Sequence, residues 1–558
     1  MPRRYLLCNL ALACALFGQE FRATITGRVT DAQNAAVPGV KVVATLLTTG
    51  AKSETATGPD GLYTIPFLTP GAYRVEAEAP GFKRYLREID APAGERVAVD
   101  IPLEIGQLNE TVKVTAEASL LESTTATVGQ VIGSTEVENM PLNGRTPLVL
   151  AQLAMGVVPN SDPKFNRPFD NAGPSGFSIG GAPAQSNELL IDGVPDTTGN
   201  LRVAYNPPVD AVEEVRVHAF ESDAAYGHTG GGTANVVLKS GTNSFHGSAY
   251  EFNQTSALAA TPFFTNAAGL PNPVTRYNQW GLSAGGPVLA PKLFNGRNKV
   301  FWFFAWEDIN DSFPEPITTT VPTAAERTGD LSALLKVGPN YQIYDPLTGA
   351  VQGSRILRQP LSGNIIPASR LSQVSKNYLQ FYPLPNQAGS ADGNNNYLAN
   401  SVRRDTFNGE LGRLDFNLSD RHKLFWDFRH NDRIEDRNSL FQNIATGRDL
   451  GRINWGTTVD DVYTFNPTTV MNVRLNWTRF REYTISFGDG YNATQLGFPS
   501  YVTAASPRLV LPQIKFSEAF NQITSDTDGN TPFDIFQIFG DVVKVKGNHT
   551  FKMGADVR

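Results

Sequence analysis

Lys239 and Ser240 follow four glycines, Gly227, Gly230, Gly231 and Gly232, in the stretch GHTGGGTANVVLKSGTNSFHGS. A glycine-rich loop with a lysine binds phosphate when Gly-x-x-x-x-Gly-Lys-Ser/Thr opens a helix, because amides and the ammonium group then converge on one anion. Here the order is reversed. The glycines precede the β-branched run TANVVL, the lysine follows it, and SGTN supplies turn chemistry. The stretch therefore reads as strand then turn, not as a nucleotide loop. SDPK (Ser161–Lys164) with KSG (Lys239–Gly241) mimics part of a penicillin-binding site, but the Ser-Asp-Asn element is absent. DTDGN (Asp526–Asn530) starts like a calcium loop, yet Thr531 and Gln537 stand where glycine and glutamate are needed. His218, His228, His246, His422, His430 and His549 lack a metal-ligand spacing such as His-Glu-x-x-His. No paired acid and base stand out. The reading assigns no catalytic residue, no metal site and no cofactor, and expects the chain not to be an enzyme.

The elements that would position any site are mostly strands. Fifty glycines and 37 prolines in 558 residues, with 10% aromatics, favour many strands and turns over helices. The charge is −7, from 54 acidic and 47 basic residues, which gives no reason to expect nucleic acid as a partner. MPRR followed by YLLCNLALACALFG has the charged and apolar regions of a secretory leader, expected over residues 1–18. Both cysteines, Cys8 and Cys14, fall inside it. Once the leader is removed, disulfides, thiolate metal sites and cysteine nucleophiles are excluded. No later run reaches the length of a membrane helix, but strands can also cross a membrane, with a weaker signal.

Residues 22–104 carry short strand-like runs with turn residues every 8–12 positions, the spacing of a small β-sandwich. Residues 105–123 form a linker containing Glu110, Thr111, Val112, Lys113 and Val114, a β-prone pentamer in polar surroundings. It reads either as a stray edge strand or as a segment offered to a partner's sheet edge. Residues 124–243 mix a short helix around Pro147–Met155, strands at FSIGG and NELLIDGVP, a short helix or turn running into a strand over VDAVEEVRVHAF, and a last strand at Thr233–Lys239. Residues 244–558 alternate in polarity. In VMNVRLNWTRF, Met471, Val473, Leu475 and Trp477 oppose Asn472, Arg474, Asn476 and Thr478. In HKLFWDFRH, Leu424, Trp426 and Phe428 oppose Lys423, Asp427 and Arg429.

Nine strands are expected near 244–253, 277–287, 299–308, 407–418, 422–431, 458–465, 469–481, 534–544 and 548–558. Short links (LAPKLFNGRN, SDR, NPT, KGN) alternate with long ones (254–276, 309–406, 432–457, 482–533). A soluble sandwich has no reason to gather its long loops at one end. A transmembrane barrel does, with tight periplasmic turns and long extracellular loops. VFWFFAW, Val300–Trp306, fits an aromatic girdle.

Two families carry the resemblance. GRVTDAQNAAVPGVKV with TGPDGLYTIPFLTPGAYRVEAEAPGF resembles the carboxypeptidase regulatory-like (transthyretin-like) domain, which has no catalytic residues of its own; Tyr63 and Phe82 are expected in its core. ETVKVTAEASLLESTTATVGQVI, MPLNGRTPLVLAQLAMGVVP, FSIGGAPAQSNELLIDGVP and AVEEVRVHAFESDAAYGHTGGGTANVVLKSGTNSFHGSAYEF resemble the coupling box, the plug and the plug's exit in TonB-dependent outer-membrane receptors of the Oar-like kind. The resemblance implies a mainly β chain: a sandwich at 22–104, a TonB-coupling segment at Glu110–Val114, an α+β plug at 124–243 and an incomplete antiparallel barrel at 244–558. It implies TonB and outer-membrane lipid as partners, with the sandwich in the periplasm. The function implied is energised uptake of an extracellular solute, with carbohydrate the candidate class. The alternative is a surface carbohydrate-binding or adhesion protein without transport. The glycines Gly230–Gly232 are expected where the plug closely approaches the wall. A family wall has about 22 strands, and this chain stops inside an apparent strand at Arg558, so it reads as truncated.

Overall fold

The computed structural model describes all residues except 1–20, 107–110, 115–127, 141–144, 161–175, 185, 221–226, 262, 268, 270, 518–519, 524–528 and 548. The leader reading, Glu110, Ser161–Lys164 and most of Asp526–Asn530 lie outside the described residues.

Two sheets build the N-terminal sandwich. β1 (Ala23–Thr30), β4 (Leu62–Leu68), β7 (Arg96–Ala98) and β8 (Ile101–Pro102) form one sheet. The other has the order β3 (Lys52–Ala56), β2 (Lys41–Leu46), β5 (Gly71–Glu78), β6 (Arg84–Ala91), β9 (Thr111–Val114). The inward rows of both meet in one apolar core that includes Ile25, Val42, Tyr63, Val75 and Tyr85. Tyr63 satisfies its buried hydroxyl by donating to Val99 O at 2.6 Å, and Phe82 packs on the core edge. Strand β6 carries no clear sequence signal. Arg87 interrupts the inward row of Tyr85, Ile89 and Ala91, and charges flank it.

An inner domain follows. Its five-stranded sheet has the order β10 (Val128–Ile132), β15 (Val212–Phe220), β16 (Thr233–Leu238), β13 (Glu188–Ile191), β14 (Val194–Pro195). A two-stranded pair, β11 (Val157–Pro159) with β12 (Phe177–Ile179), and a 3-10 segment at Pro147–Leu153 cover its apolar face.

Nine antiparallel strands then form one continuous wall: β17 (His246–Thr255), β18 (Arg276–Pro287), β21 (Val300–Thr319), β24 (Tyr397–Ser419), β25 (His422–Arg437), β26 (Arg448–Asn466), β27 (Thr469–Ser486), β28 (Asn530–Lys546) and β29 (His549–Val557). A small hairpin, β19 (Leu289–Ala290) with β20 (Phe294–Asn295), fills one short link. Another, β22 (Ala350–Gln352) with β23 (Arg355–Leu357), lies in the longest loop. The described wall is open, with β17 and β29 at its edges. Among the described residues no helix is long and apolar enough to cross a membrane.

The expected strands are all present, but several are longer. β25 and β26 pair as far as Arg437↔Arg448, so the link expected at 432–457 shrinks to 438–447. Loops 320–396, 438–447 and 487–529 share a core of their own, with Tyr378, Tyr382, Phe441, Leu496 and Leu511 buried together. Tyr378 donates to Pro512 O at 2.9 Å and Tyr382 to Asn521 O at 2.7 Å, tying two loops into one cap. The asparagine-rich run before β24, which reads as generic loop, is hydrogen-bonded. Asn396 Nδ2 donates to Val321 O at 2.8 Å, and Asn396 Oδ1 accepts from Val321 N at 2.9 Å.

Candidate functional site

The wall buries its polar half. Along β27, Asn472 and Arg474 are fully buried, Asn476 and Thr478 nearly so, while Leu475 is 47% exposed. Along β25, Asp427, Arg429, Asn431, Arg433 and Glu435 face inward, and Trp426 and Ile434 face outward. A protein in water does the reverse. An apolar outer face and a polar, charged inner face suit a sheet with lipid on one side and a filled lumen on the other. The inner row is paired rather than bare: Glu435 accepts from Arg403 at 3.1 Å and Arg452 at 2.5 Å, and from Arg433 and Arg437.

The inner domain sits against this polar face. Asp192 and Gly193 form a two-residue loop between β13 and β14, with Ile191 opposite Val194. Their φ angles are 46° and 73°, the geometry that an Asp-Gly hairpin loop adopts at least strain. The turn aims the Asp192 carboxylate at the wall. Asp192 Oδ2 accepts from Arg413 at 2.9 Å, and Oδ1 from Leu238 N at 3.0 Å. Arg474 donates to Gly193 O at 3.1 Å and to Asp460 at 2.8 Å. A Cβ on Gly193 would lie 2.7 Å from Arg474 Nη1, and the left-handed φ of 73° favours glycine there. Apolar packing of Ile191, Val194, Tyr205 and Leu238 on Phe303, Ala305 and Leu411 completes the seam. Burial pushes the Asp192 carboxyl up to about 6, against the opposing pull of Arg413. Burial also pushes Asp196 up to about 7, opposed by the Tyr205 and Ala204 amides.

The sandwich closes on both, at the short-turn end of the wall. Arg22 forms a buried ion pair with Asp460, and Phe21 lies under the guanidinium groups of Arg22 and Arg474 at 5.4 and 5.0 Å. Lys423 donates to Ser53 at 2.6 Å, Thr55 to Pro467 O at 2.8 Å, and Asn243 N to Thr48 O at 3.0 Å. On the inner domain, Glu214 accepts from Ala93 N, while Arg216 donates to Ala93 O and pairs with Glu95 at 3.3 Å. Burial raises Glu214 to about 7, opposed by the Ala93 amide and Arg216.

Of the five residues singled out in the linker, Thr111–Val114 form strand β9, and Glu110 is outside the described residues. β9 does not stand free. It pairs in parallel with β6, with Arg84↔Thr111, Tyr85↔Val112, Leu86↔Lys113 and Arg87↔Val114 in register. The glycine expectation needs correcting. Gly232 makes its close approach inside the inner domain, where a Cβ would lie 2.2 Å from Ile179 Cγ2. Within this stretch it is Gly241 that meets the wall, where a Cβ would lie 2.3 Å from Trp302 O. Sequence reasoning put Arg474 on the polar face but missed its partners, and it missed Arg22, Asp192, Arg413 and Asp460. Inward-facing charges in an alternating strand were the available signal, but their mates come from distant segments.

Residues 237–558 match the family described as outer membrane beta barrel domain, and residues 24–104 match the carboxypeptidase regulatory-like domain. A stretch of 313 residues is 27% identical to the TonB-dependent transporter Oar of Myxococcus xanthus, covering 53% of this chain and 27% of that protein. The chain thus spans about a quarter of the length of that curated relative. Among solved structures, the outer membrane transporter YddB of Escherichia coli aligns at 11% identity and TM-score 0.47, over 76% of this chain and 47% of that one. The siderophore receptor PirA of Acinetobacter baumannii aligns at 12% and 0.39, over 77% and 47%.

Proposed function

The chain belongs to the outer membrane beta barrel family, and from that premise we propose that it is part of a TonB-dependent transporter, taking up an extracellular solute at the cost of energy supplied from the periplasm. The observation that carries this reading is the inverted wall, apolar outside and charged inside, with a separate domain seated on the charged face by Asp192–Arg413 and Gly193–Arg474. In this reading the inner domain is the plug. Its contacts with the wall are ion pairs and hydrogen bonds around a thin apolar seam, and such contacts can exchange for water when the plug moves. Residues Glu110–Val114 are the coupling segment, offered as a strand to TonB. Carbohydrate is the proposed solute class. The loop cap over 320–396, 438–447 and 487–529 is the surface the solute meets first.

The test is deletion of residues 110–114 in the natural protein. Energised uptake of labelled oligosaccharides and ferric siderophores is compared with binding at the cell surface. The expected result is surface binding without uptake. Uptake at the undeleted rate would overturn the coupling assignment. Surface binding with no uptake even in the undeleted protein would favour adhesion.

A further inference from the structure

The inner face gathers arginines at the long-loop end of the wall. Arg403 on β24, Arg433 and Arg437 on β25 and Arg452 on β26 all contact the carboxylate of Glu435. The register sets Arg433 opposite Arg452, and Arg437 opposite Arg448. Like charges directly opposite each other destabilise a sheet, so stability alone would favour alternating signs here. The acids lie beneath the arginines. The Asp405 and Glu435 side chains are 0% exposed, whereas Arg437 is 31%, Arg403 15% and Arg452 14% exposed. We propose that this cluster is a binding site for an oxyanion, a carboxylate, sulfate or phosphate group carried by the solute. This rests on the transport reading given under Proposed function and narrows its solute to an anionic one.

Donor number and position both fit. A guanidinium carries five N–H groups and a carboxylate has about four acceptor sites, so four arginines bring more donors than Glu435 can accept. At the margins Glu315 lies 3.7 Å from Arg403, and Glu482 accepts from Arg452 at 2.7 Å. Arg403, Arg437 and Arg452 still present part of their surface on the inner face. Guanidinium forks grip oxyanions through paired, charge-assisted hydrogen bonds, which fixes orientation as well as affinity. The place is also right. Asp405 stands six positions beyond Leu411 on β24, where the inner domain packs, a distance of about 20 Å. Arg437 and Arg448 flank the link 438–447, whose Phe441 and Ala445 enter the core of the loop cap. The cluster therefore lies between the cap and the inner domain, on the path of an entering solute.

The test uses the full natural protein in detergent, with sulfate as the first probe. Phenylglyoxal modifies accessible arginines, and mass spectrometry reads each position. Sulfate is expected to slow modification of Arg403, Arg437 and Arg452 about fivefold or more relative to chloride at equal ionic strength. The exposed Arg74 of the sandwich should not change. Equal rates in the two salts, or equal protection of Arg74, would overturn the site. Arg437→Gln removes the most exposed member and should weaken sulfate protection of Arg403 and Arg452 about fivefold. Protection as strong as in the natural protein would overturn the site as well. Trigalacturonate and ferric citrate then distinguish an acidic sugar from an anionic metal chelate, with maltotriose as the neutral control. Protection by one of the two anionic solutes and none by maltotriose is expected. Protection by sulfate alone would mean an adventitious ion only and would overturn the solute assignment. Protection by an anionic solute that the cell does not take up would keep the site and remove the transport reading.

Discussion

In β1 of the sandwich, Ala23, Ile25 and Val29 are fully buried and Arg28 is exposed; in β27 of the wall, Asn472 and Arg474 are fully buried and Leu475 is exposed. Both strands use the same two-residue period. The difference lies in what covers each face. The sandwich has water outside and a second sheet inside, so it buries carbon. The wall has an outer face for lipid and an inner face filled by another domain, so it buries charge, with ion pairs such as those at Glu435. Alternation alone is therefore silent about which half is inside.

The largest test removes a partner from a buried pair at the inner face. Arg413→Ala leaves Asp192 buried without its guanidinium, and such losses amount to about 3–5 kcal/mol. The expected result is an inner domain that unfolds or is cleaved by protease at lower denaturant, while the wall's own transition stays put. Coincident shifts of both transitions would mean the two are one unit.

Next comes a matched pair of truncations. Ile25→Ala in the sandwich core should cost about 2–5 kcal/mol, the range for buried large-to-small changes. Ile538→Ala, on the outer face of β28 and 61% exposed, should cost much less in detergent. Equal losses by denaturant titration would contradict the inversion. A third test adds charge: Leu475→Arg on the outer face should lose about 2–4 kcal/mol in a bilayer, as for arginine at mid-depth of a barrel wall. Full folding of this variant into lipid vesicles would place Leu475 away from lipid.

A smaller effect depends on pH. Asp196 stands at about 7 in the folded chain because of burial, far above the usual carboxylate range. A carboxyl raised by folding favours the folded state fully below its unfolded value, about 4, and that contribution is lost as pH rises through 7. Opening of the inner domain, followed by hydrogen exchange at Tyr205, should therefore become easier between pH 4 and 7. Asp196→Asn should make the profile shallower, leaving the parts owed to Asp192 and Glu214. The smallest effect is expected at the exposed Arg74–Glu88 pair of the sandwich, where Arg74→Ala should change stability by less than about 1 kcal/mol.

Much of the strand plan was legible. Turn chemistry and alternation located the nine wall strands, and unequal links told their two ends apart. The ends of β25 and β26 were not legible, because Asp432, Asp436 and Asp449 put charge on the outward side as well. β6 escaped notice because Arg87 stands in its inward row, although this strand holds β9. The cap was hidden for another reason. Its tyrosines and leucines are scattered over three loops and become a core only when those loops meet.

Sequence by itself determined the two-residue period of the wall strands and the alternation of short and long links between them. These are local matters, set by backbone preference and by the spacing of polar and apolar side chains. Unequal links pointed to a barrel, and the tertiary structure put its charged face inside. It also decided that Asp192 meets Arg413, that Arg22 meets Asp460, and that β9 lies on β6. Those contacts join residues tens to hundreds of positions apart, and no local preference encodes which distant charge or strand edge will be near.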